Sequence, residues 1–202
     1  MTGWAASCNA RYGIIKGVGT AGPFLFLEHL MRFEPEQWRF CPQCGAPLKD
    51  AHIGDLSRRA CFAEGCGFIA WGNPVPVVCA LIECLDRDGQ MLLARNAAWP
   101  EGKFALVTGF LERDAAPATA VAREVKEETG LDTNAVHWIG NYPFAESNQV
   151  LLVYHVQVTG EIALNEELAE VKLIPKERLK GWERGTGFAV LDWLESLQVD
   201  AV

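Results

Sequence analysis

Residues 109–131 read GFLERDAAPATAVAREVKEETGL, and the rest of this 202-residue chain is interpreted outward from them. Five of the last six residues before Thr129 are charged. At about 100° per helical residue, Glu124, Glu127 and Glu128 fall within roughly one 100° arc. Three carboxylates on one helix face repel one another unless they hold cations, and their hard oxygen atoms suit Mg²⁺ or Mn²⁺, ions that commonly serve phosphate chemistry. The segment therefore predicts a divalent-metal site.

A solvated charged helix is the second interpretation of this segment. Pairs such as Arg123 with Glu127, four residues apart, would then add only a few tenths of a kcal/mol to stability. The run EVKEE alone favours this interpretation, but Gly109 and Gly130 stand in register with it and shift the balance to the metal site. We expect the helix to pack on a sheet through an apolar stripe made of Ala118, Val121, Ala122 and Val125.

The whole segment resembles the Nudix box, G-x5-E-x7-R-E-U-x-E-E-x-G-U, where U is an aliphatic residue. The first glutamate of the box is replaced by Ala115. The resemblance implies an α+β fold, the Nudix α/β/α sandwich with a mixed sheet. The matching residues are Gly109, Arg123, Glu124, Val125, Glu127, Glu128, Gly130 and Leu131.

In a Nudix hydrolase, the implied reaction is hydrolysis of the diphosphate that joins a nucleoside to another group, as in NADH, ADP-ribose or a related dinucleotide. Mg²⁺ or Mn²⁺ would neutralise the diphosphate and acidify an attacking water. Arg123 would orient the carboxylates, and Glu127 would complete the metal shell or accept the proton of the water. The implied metal ligands are the Thr108 carbonyl, Glu124, Glu127, Glu128 and a glutamate outside the box, for which Glu167 is favoured over Glu170.

The resemblance also implies contacts to the substrate. Phe110, the aromatic residue after the box glycine, would stack on a substrate ring, with plain core packing as an equal alternative. Ala189, near the start of the last helix, would offer its backbone to the phosphates. For residues 166–170, a solvated acidic turn is the alternative to a metal ligand.

Ala115 divides two hypotheses about activity. In the family, the missing carboxylate lies near the metals and helps to hold the box arginine. Either the chain is an enzyme with a weakened metal site, in which Asp114 or Glu112 partly substitutes, or it is a catalytically silent module that binds a nucleotide or RNA. Asp114 and Glu112 could equally be surface loop residues. The intact glutamates of the box favour the enzyme.

Four cysteines form a second motif. Cys41 and Cys44 make a C-x2-C pair, and after sixteen residues Cys61 and Cys66 make a C-x4-C pair. Two such turns present four thiolates to one tetrahedral Zn²⁺, as in a zinc ribbon, and a closed four-cysteine site is structural. Four buried free cysteines are the alternative, which does not explain the spacing. Three further cysteines lie outside the motif, and we expect Cys79 and Cys84 to pack in the core.

The order of ribbon, strand, hairpin and box resembles the zinc-ribbon Nudix hydrolases that include the NADH pyrophosphatases. Members of this group are often homodimers, which the resemblance implies and the residues do not show. In those enzymes, a serine-glutamine-proline-tryptophan-proline-phenylalanine motif accompanies nicotinamide dinucleotide use. This chain has GNYPFAES at 140–147, where only Pro143 and Phe144 agree. The departure argues against NADH as the preferred substrate.

Composition narrows the class of protein. Half of the residues are hydrophobic, enough for one substantial domain and a small module. A net charge of −8 argues against binding nucleic acid through the overall field and suggests that a small anionic substrate is met by metals. No apolar run reaches the roughly 18 residues of a membrane span. Seven cysteines without a convincing signal peptide indicate a reducing cytoplasm.

We divide the chain into an N-terminal extension (1–37), a zinc ribbon (38–72) and a Nudix hydrolase domain (73–202). The first thirty residues, with an apolar patch at 24–27, are expected to be dispensable. The final helix, 186–198, is predicted to be amphipathic, with Phe188, Leu191, Leu194 and Leu197 on its apolar side. Elsewhere, β-rich runs predict strands at 75–85, 91–94, 104–108, 135–140 and 149–158.

Overall fold

The computed structural model describes residues 38–199. The expected extension (1–37), including its apolar patch and Cys8, lies outside the described residues. No helix within 38–199 is long and apolar enough to cross a membrane.

A small β-hairpin comes first along the described chain. Strands β1 (Leu48–Ile53) and β2 (Leu56–Cys61) pair in antiparallel register from Leu48 opposite Cys61 to Ile53 opposite Leu56. Its core cluster is small and contains the buried residues Cys41, Leu48 and Cys61, with partly buried neighbours such as Trp38 and Phe68 packed against them. This hairpin carries little apolar material of its own.

A six-stranded mixed sheet forms the centre of the molecule. Its order is β6-β7-β3-β4-β8, and β5 pairs with the first half of β3. β3 and β7 run parallel, and the other neighbours are antiparallel. The strands are β3 (Val75–Cys84), β4 (Gln90–Asn96), β5 (Val107–Phe110), β6 (Asp132–Phe144), β7 (Gln149–Thr159) and β8 (Leu168–Ile174).

Strand β3, with the sequence VPVVCALIEC, separates two cores. Alternate side chains of a strand point to opposite faces, so Val78, Ala80 and Ile82 enter one core while Cys79 and Leu81 enter the other. The first core contains helix α1 (Pro117–Thr129), and the second contains helix α2 (Gly187–Val199). The predicted α/β/α sandwich with a mixed sheet is therefore confirmed.

Helix α1 begins at Pro117, which suits a first helical position, after Ala116, which makes no side-chain cap. It ends at Gly130, whose left-handed backbone (φ 75°) closes the last turn. The predicted packing stripe is partly wrong, because Ala118 is exposed and Ala120 is buried in its place. The buried face of α1 therefore includes Ala120 and Glu128 as well as Val121 and Val125.

The face predicted for the last helix is wrong for three of its four residues. Phe188, Leu191 and Leu197 are exposed by 42%, 37% and 37%, whereas Leu194 packs against the second core. The buried members of this helix in that core are Ala189, Val190 and Trp193. The helix is apolar around much of its circumference, so hydrophobic period alone does not identify its buried side.

The other predicted strands exist with changed bounds. The run at 104–108 is corrected to β5, which begins at Val107 and continues through Gly109 and Phe110, while Ala105 makes only an isolated bridge to Ala94. β6 is longer than predicted because two irregularities, after Thr133 and after Trp138, let it bend and continue along β7. Cys79 and Cys84 are fully buried, as predicted.

Candidate functional site

The residues predicted to hold a divalent metal come from three elements. β5 supplies Thr108, α1 supplies the three box glutamates, and the segment just before β8 supplies Glu167. β5 lies against β3 in the sheet, and α1 packs against both of these strands. The first core, with Val121 and Val125 of α1 in it, therefore fixes the helix over the strand that carries Thr108.

The loop that leads to Glu167 is attached to the end of α1. The amide of Ala163 donates to the carbonyl of Thr129 (2.8 Å), and the amide of Asn165 donates to the carbonyl of Glu128 (3.2 Å). The amide of Ala97, in turn, donates to the carbonyl of Glu167 (2.8 Å), next to a bulge in β4. These backbone bonds hold Glu167 near the helix.

Gly109 makes room for the carboxylate of Glu124. A Cβ atom at position 109 would lie 2.2 Å from Cδ and 2.5 Å from Oε2 of Glu124. No side chain fits at such distances, so only a glycine in β5 lets this carboxylate lie directly over the strand. The box glycine and the first glutamate of the EVKEE run are therefore two halves of one contact.

Arg123 binds the carboxylates on its side of the helix. Its Nη2 donates to Glu124 Oε1 (2.8 Å) and its Nη1 to Glu127 Oε2 (2.9 Å). Glu112, from the loop before α1, places Oε1 3.9 Å from the same Nη2. The charge of Glu124, followed by those of Glu127 and Glu112, raises the pKa of Arg123. The arginine thus orients three carboxylates at once.

Among residues 38–199, no arginine or lysine pairs with Glu128 in the same way. The residue is 5% exposed. Burial, and then the negative charges of Glu167, Glu124 and Glu127, raises the pKa of its carboxyl to about 8. A buried carboxyl in this condition gains free energy from a cation that lets it ionise.

Glu124 shows a milder form of the same effect. Burial raises its pKa, with Arg123 acting in the opposite direction and the charge of Glu167 adding to the rise. Glu170, the second choice from the sequence, is bound instead to Arg95, with Nε 2.5 Å from its Oε1. The structure thus brings Glu167 to the box glutamates and turns Glu170 toward another partner.

This donor set fits Mg²⁺ or Mn²⁺. Carboxylate oxygens from two elements, one of them buried and short of positive charge, are the hard ligands that these ions prefer. The close approach of Glu124 to β5 supplies the shape of the site.

Phe110 and Ala189 lie on the opposite side of the sheet from α1. Both belong to the second core, where Ala189 is fully buried in the first turn of α2 and Phe110 is partly buried. Core packing is therefore part of the role of Phe110, and the residue remains partly exposed. The sequence does not identify the other partly buried aromatic residues packed against this core, Phe104, Tyr142, Phe144 and Trp182. They come from three separate segments, which only the fold brings together.

A polar network that the sequence does not predict lies on the face of the sheet that packs against the second core. Glu83 is 5% exposed and receives Gln157 Nε2 (3.0 Å) and Lys176 Nζ, while His155 Nε2 lies 2.9 Å from its Oε2. Burial opposes ionisation of Glu83, but Lys176 and Gln157 outweigh it and lower its pKa. A carboxylate so fully satisfied serves the packing of this face.

The four cysteines of the ribbon form a separate centre. Their sulfur atoms all lie within 4.8 Å of one another, with Cys41 to Cys66 at 3.6 Å and Cys44 to Cys61 at 3.5 Å. Tetrahedral zinc with bonds of about 2.3 Å requires sulfurs about 3.8 Å apart, whereas a disulfide requires about 2.05 Å. The arrangement therefore fits zinc and excludes disulfides in this state.

Two of the ribbon thiols, those of Cys66 and Cys41, differ in how readily they ionise. At Cys66 a backbone hydrogen bond at Phe68 favours the thiolate, but burial and the neighbouring cysteines outweigh it and raise the pKa to about 12. Burial opposes ionisation of Cys41, but hydrogen bonds from the backbone at Cys44 and Gln43 outweigh it and lower the pKa of this thiol to about 7. Gly45 and Gly67 follow the second cysteine of each pair with φ of 76° and 65°, the tight turns that the sequence predicts there.

Comparison with known proteins places most of the chain in one group. The family model for the NUDIX domain matches residues 74–194. Among curated proteins, the NAD-capped RNA hydrolase NudC of Stutzerimonas stutzeri is 29% identical over 124 residues, 61% of this chain and 42% of that protein. NudC of Mycobacterium tuberculosis is 35% identical over 124 residues, 55% of this chain and 34% of that protein. The chain thus spans about two fifths or less of the length of these relatives.

A solved structure shares the fold. The NUDIX hydrolase of Nitrosomonas europaea superposes with a TM-score of 0.60 at 25% identity, covering 70% of this chain and 80% of that one.

Proposed function

The chain belongs to the NUDIX family, and from that premise we propose that it is a metal-dependent pyrophosphohydrolase. Its substrate would be a nucleoside diphosphate linked to another group, such as NADH, ADP-ribose or a related dinucleotide. The single observation that carries this proposal is the attachment of the Glu167 segment to the end of α1, where the negative charge of Glu167 acts on the carboxyls of Glu124 and Glu128.

We assign the metal-binding role to Glu124, Glu128, Glu167 and the carbonyl of Thr108. Mg²⁺ or Mn²⁺ bound there would supply charge to neutralise the diphosphate and would acidify a water molecule. Gly109 keeps the Glu124 carboxylate over β5, and Arg123 fixes its direction through Oε1, which leaves Oε2 on the side of the strand.

Glu127 suits the transfer of a proton. Its side chain is 53% exposed and bound to Arg123, so it is both solvated and oriented. It either completes the metal shell or accepts the proton of the attacking water, and geometry decides between these roles before pKa does.

We assign substrate recognition to the face of the sheet opposite α1. Phe110 would stack on a ring of the substrate. Ala189 itself is fully buried, so we assign the approach to the phosphates to the first turn of α2 around it, because amides of a first helical turn have no partner within the helix. Two of the relatives are named for hydrolysis of NAD-capped RNA, which supports including a capped RNA among the substrates.

We further propose a structural zinc on Cys41, Cys44, Cys61 and Cys66, with the ribbon ending at residue 72 and the hydrolase domain starting at residue 73. The separations between the sulfur atoms support the zinc, and the match to the family model from residue 74 is compatible with this boundary. The free state of the described cysteines is compatible with a cytoplasmic protein.

The test is a substrate panel with a matched variant. Purified protein is incubated with NADH, ADP-ribose and NAD-capped RNA in Mg²⁺ or Mn²⁺, and mononucleotide products are quantified. Glu124→Gln removes one charge at equal volume and is expected to lower turnover about a hundredfold, equivalent to about 2.7 kcal/mol. Glu170→Gln removes a charge bound to Arg95 and is expected to leave the rate within about twofold.

Two outcomes would contradict the proposal. Equal rates for Glu124→Gln and wild type would show that the acidic site is not the reaction centre. Tight binding of a dinucleotide without any product, in either metal, would favour the catalytically silent module that Ala115 suggests.

A further inference from the structure

The loop between β5 and α1 makes a tight turn at residues 112–115. The amide of Ala115 donates to the carbonyl of Glu112 (3.3 Å), and Asp114 has a left-handed backbone with φ of 65°. Ala115 is partly buried and packs against the first core. The turn therefore places the position where the family has a glutamate against apolar side chains, and it leaves Glu112 at the start of the turn in solvent.

The two acidic side chains of this turn differ in direction. Glu112 Oε1 lies 3.9 Å from Arg123 Nη2, the nitrogen that also donates to Glu124. Asp114 faces Arg113 at 3.7 Å, and both of these side chains are more than nine tenths exposed. Of these two acidic side chains, only Glu112 comes close to Arg123.

We propose that Glu112 is a positioning residue that supplies to Arg123 the carboxylate missing at position 115. This inference rests on the proposed function, because it concerns the same acidic site. Arg123 shares its charge among Glu112, Glu124 and Glu127, and a third partner on the loop side holds the guanidinium against α1. With Arg123 held, the Glu124 carboxylate keeps one oxygen on the arginine and the other over Gly109.

The pair is exposed and long, so its effect is expected to be small and dependent on salt. The Glu112 side chain is 70% exposed and that of Arg123 is 37% exposed. An exposed ion pair supports at most about a fivefold change in an equilibrium constant, and salt screens it. If Glu112 acts through Arg123, removing its charge should weaken metal binding most at low ionic strength. The rate should change little once the metal is saturating.

The experiment compares Glu112→Gln with Asp114→Asn, which removes the same charge from the same turn without facing Arg123. Mn²⁺ affinity is measured by electron paramagnetic resonance, and the rate is titrated with Mg²⁺. Glu112→Gln is expected to raise the Mn²⁺ dissociation constant and the half-saturating Mg²⁺ concentration about two- to fivefold at low salt, with the difference shrinking at about 0.5 M salt. Asp114→Asn is expected to change both by less than about 1.5-fold.

A rescue variant makes the assignment specific. Ala115→Glu in the Glu112→Gln background restores the family residue and is expected to return Mn²⁺ affinity to the wild-type value. Equal affinities for Glu112→Gln and Asp114→Asn would overturn the inference, as would a loss that salt does not reduce or that Ala115→Glu does not repair. The proposed function fails separately, if Glu124→Gln leaves Mn²⁺ affinity and rate unchanged.

Discussion

The ribbon and the acidic site hold their candidate metal ligands over very different cores. In the core cluster of the ribbon, two of the three buried residues, Cys41 and Cys61, are themselves predicted ligands. Beneath the acidic site, the first core has fifteen buried members, and none of them is a predicted ligand. A metal in the ribbon therefore substitutes for a core, whereas a metal in the acidic site is added to a domain that folds on apolar burial alone. We expect this difference between the two sites to appear most strongly when a ribbon cysteine is replaced.

Cys41→Ser is expected to unfold the ribbon and leave the sheet domain folded. Structural zinc contributes about 10–16 kcal/mol of apparent binding free energy in small zinc modules, far more than three buried residues can replace. Zinc content should fall from one equivalent to near zero, and hydrogen exchange should lose protection across β1 and β2 but not β3. Asp55→Asn, in the exposed turn of the same hairpin, serves as the control and should keep its zinc. Protected amides in β1 of a zinc-free Cys41→Ser protein would contradict the comparison.

Gly109→Ala is expected to damage the acidic site without unfolding the domain. The added Cβ would meet the flexible end of the Glu124 side chain at 2.2 Å, and the carboxylate can move away at little cost to stability. Displacing a reacting or ligating group by about 1 Å costs about a hundredfold in rate. Turnover should therefore fall about a hundredfold while the melting temperature changes by less than about 4 °C. A large drop in melting temperature would mean that Gly109 supports the core.

The smallest effect concerns pH. In the metal-free protein the pKa of Glu128 is raised to about 8, so between its ordinary value of 4.5 and about 8 the folded state binds more protons than the unfolded state. Stability from this group is present at low pH and is lost as pH rises through about 8. Mg²⁺ must displace that proton, so its affinity should rise up to about tenfold per pH unit below pH 8.

Melting temperatures at pH 6.5 and 8.5, with and without Mg²⁺, check this expectation. The gain from Mg²⁺ should be a few °C larger at pH 8.5. Glu128→Gln should abolish the pH dependence of that gain and should raise the metal-free melting temperature at pH 8.5, because the buried charge is gone. A gain from Mg²⁺ that is independent of pH in wild type would show that Glu128 does not bind the ion.

Much of the fold is readable from local sequence. The apolar run of β3, the Asp-Gly turn after it, and the proline and glycine that bound α1 each act through their immediate neighbours. The face of α2 was not readable, because apolar residues surround that helix and only packing against Leu81 and Val153 selects Ala189 and Trp193. Local rules determine where elements begin and end, but not which side of a uniformly apolar helix is buried.

The candidate site also has some features that local sequence predicts and others that only the fold determines. The spacing of the box predicts that Glu124 and Glu128 share a face, and the cysteine spacing predicts the ribbon centre. The direction of Glu112, and the attachment of Glu170 to Arg95, depend on a loop turn and a bulge that no local pattern specifies. The aromatic residues packed with Phe110 against the second core come from three separate segments, which only the fold brings together.

The two backbone hydrogen bonds from residues 163 and 165 to the end of α1 have a consequence for variation within such enzymes. They join Glu167 to the helix of Glu128 directly, so the β6–β7 hairpin that lies between them in the chain is bypassed. An insertion at the 145–148 tip of that hairpin lengthens the polypeptide between the two glutamates without changing their separation. The hairpin tip can therefore vary in length during evolution while the spacing of the acidic residues stays unchanged.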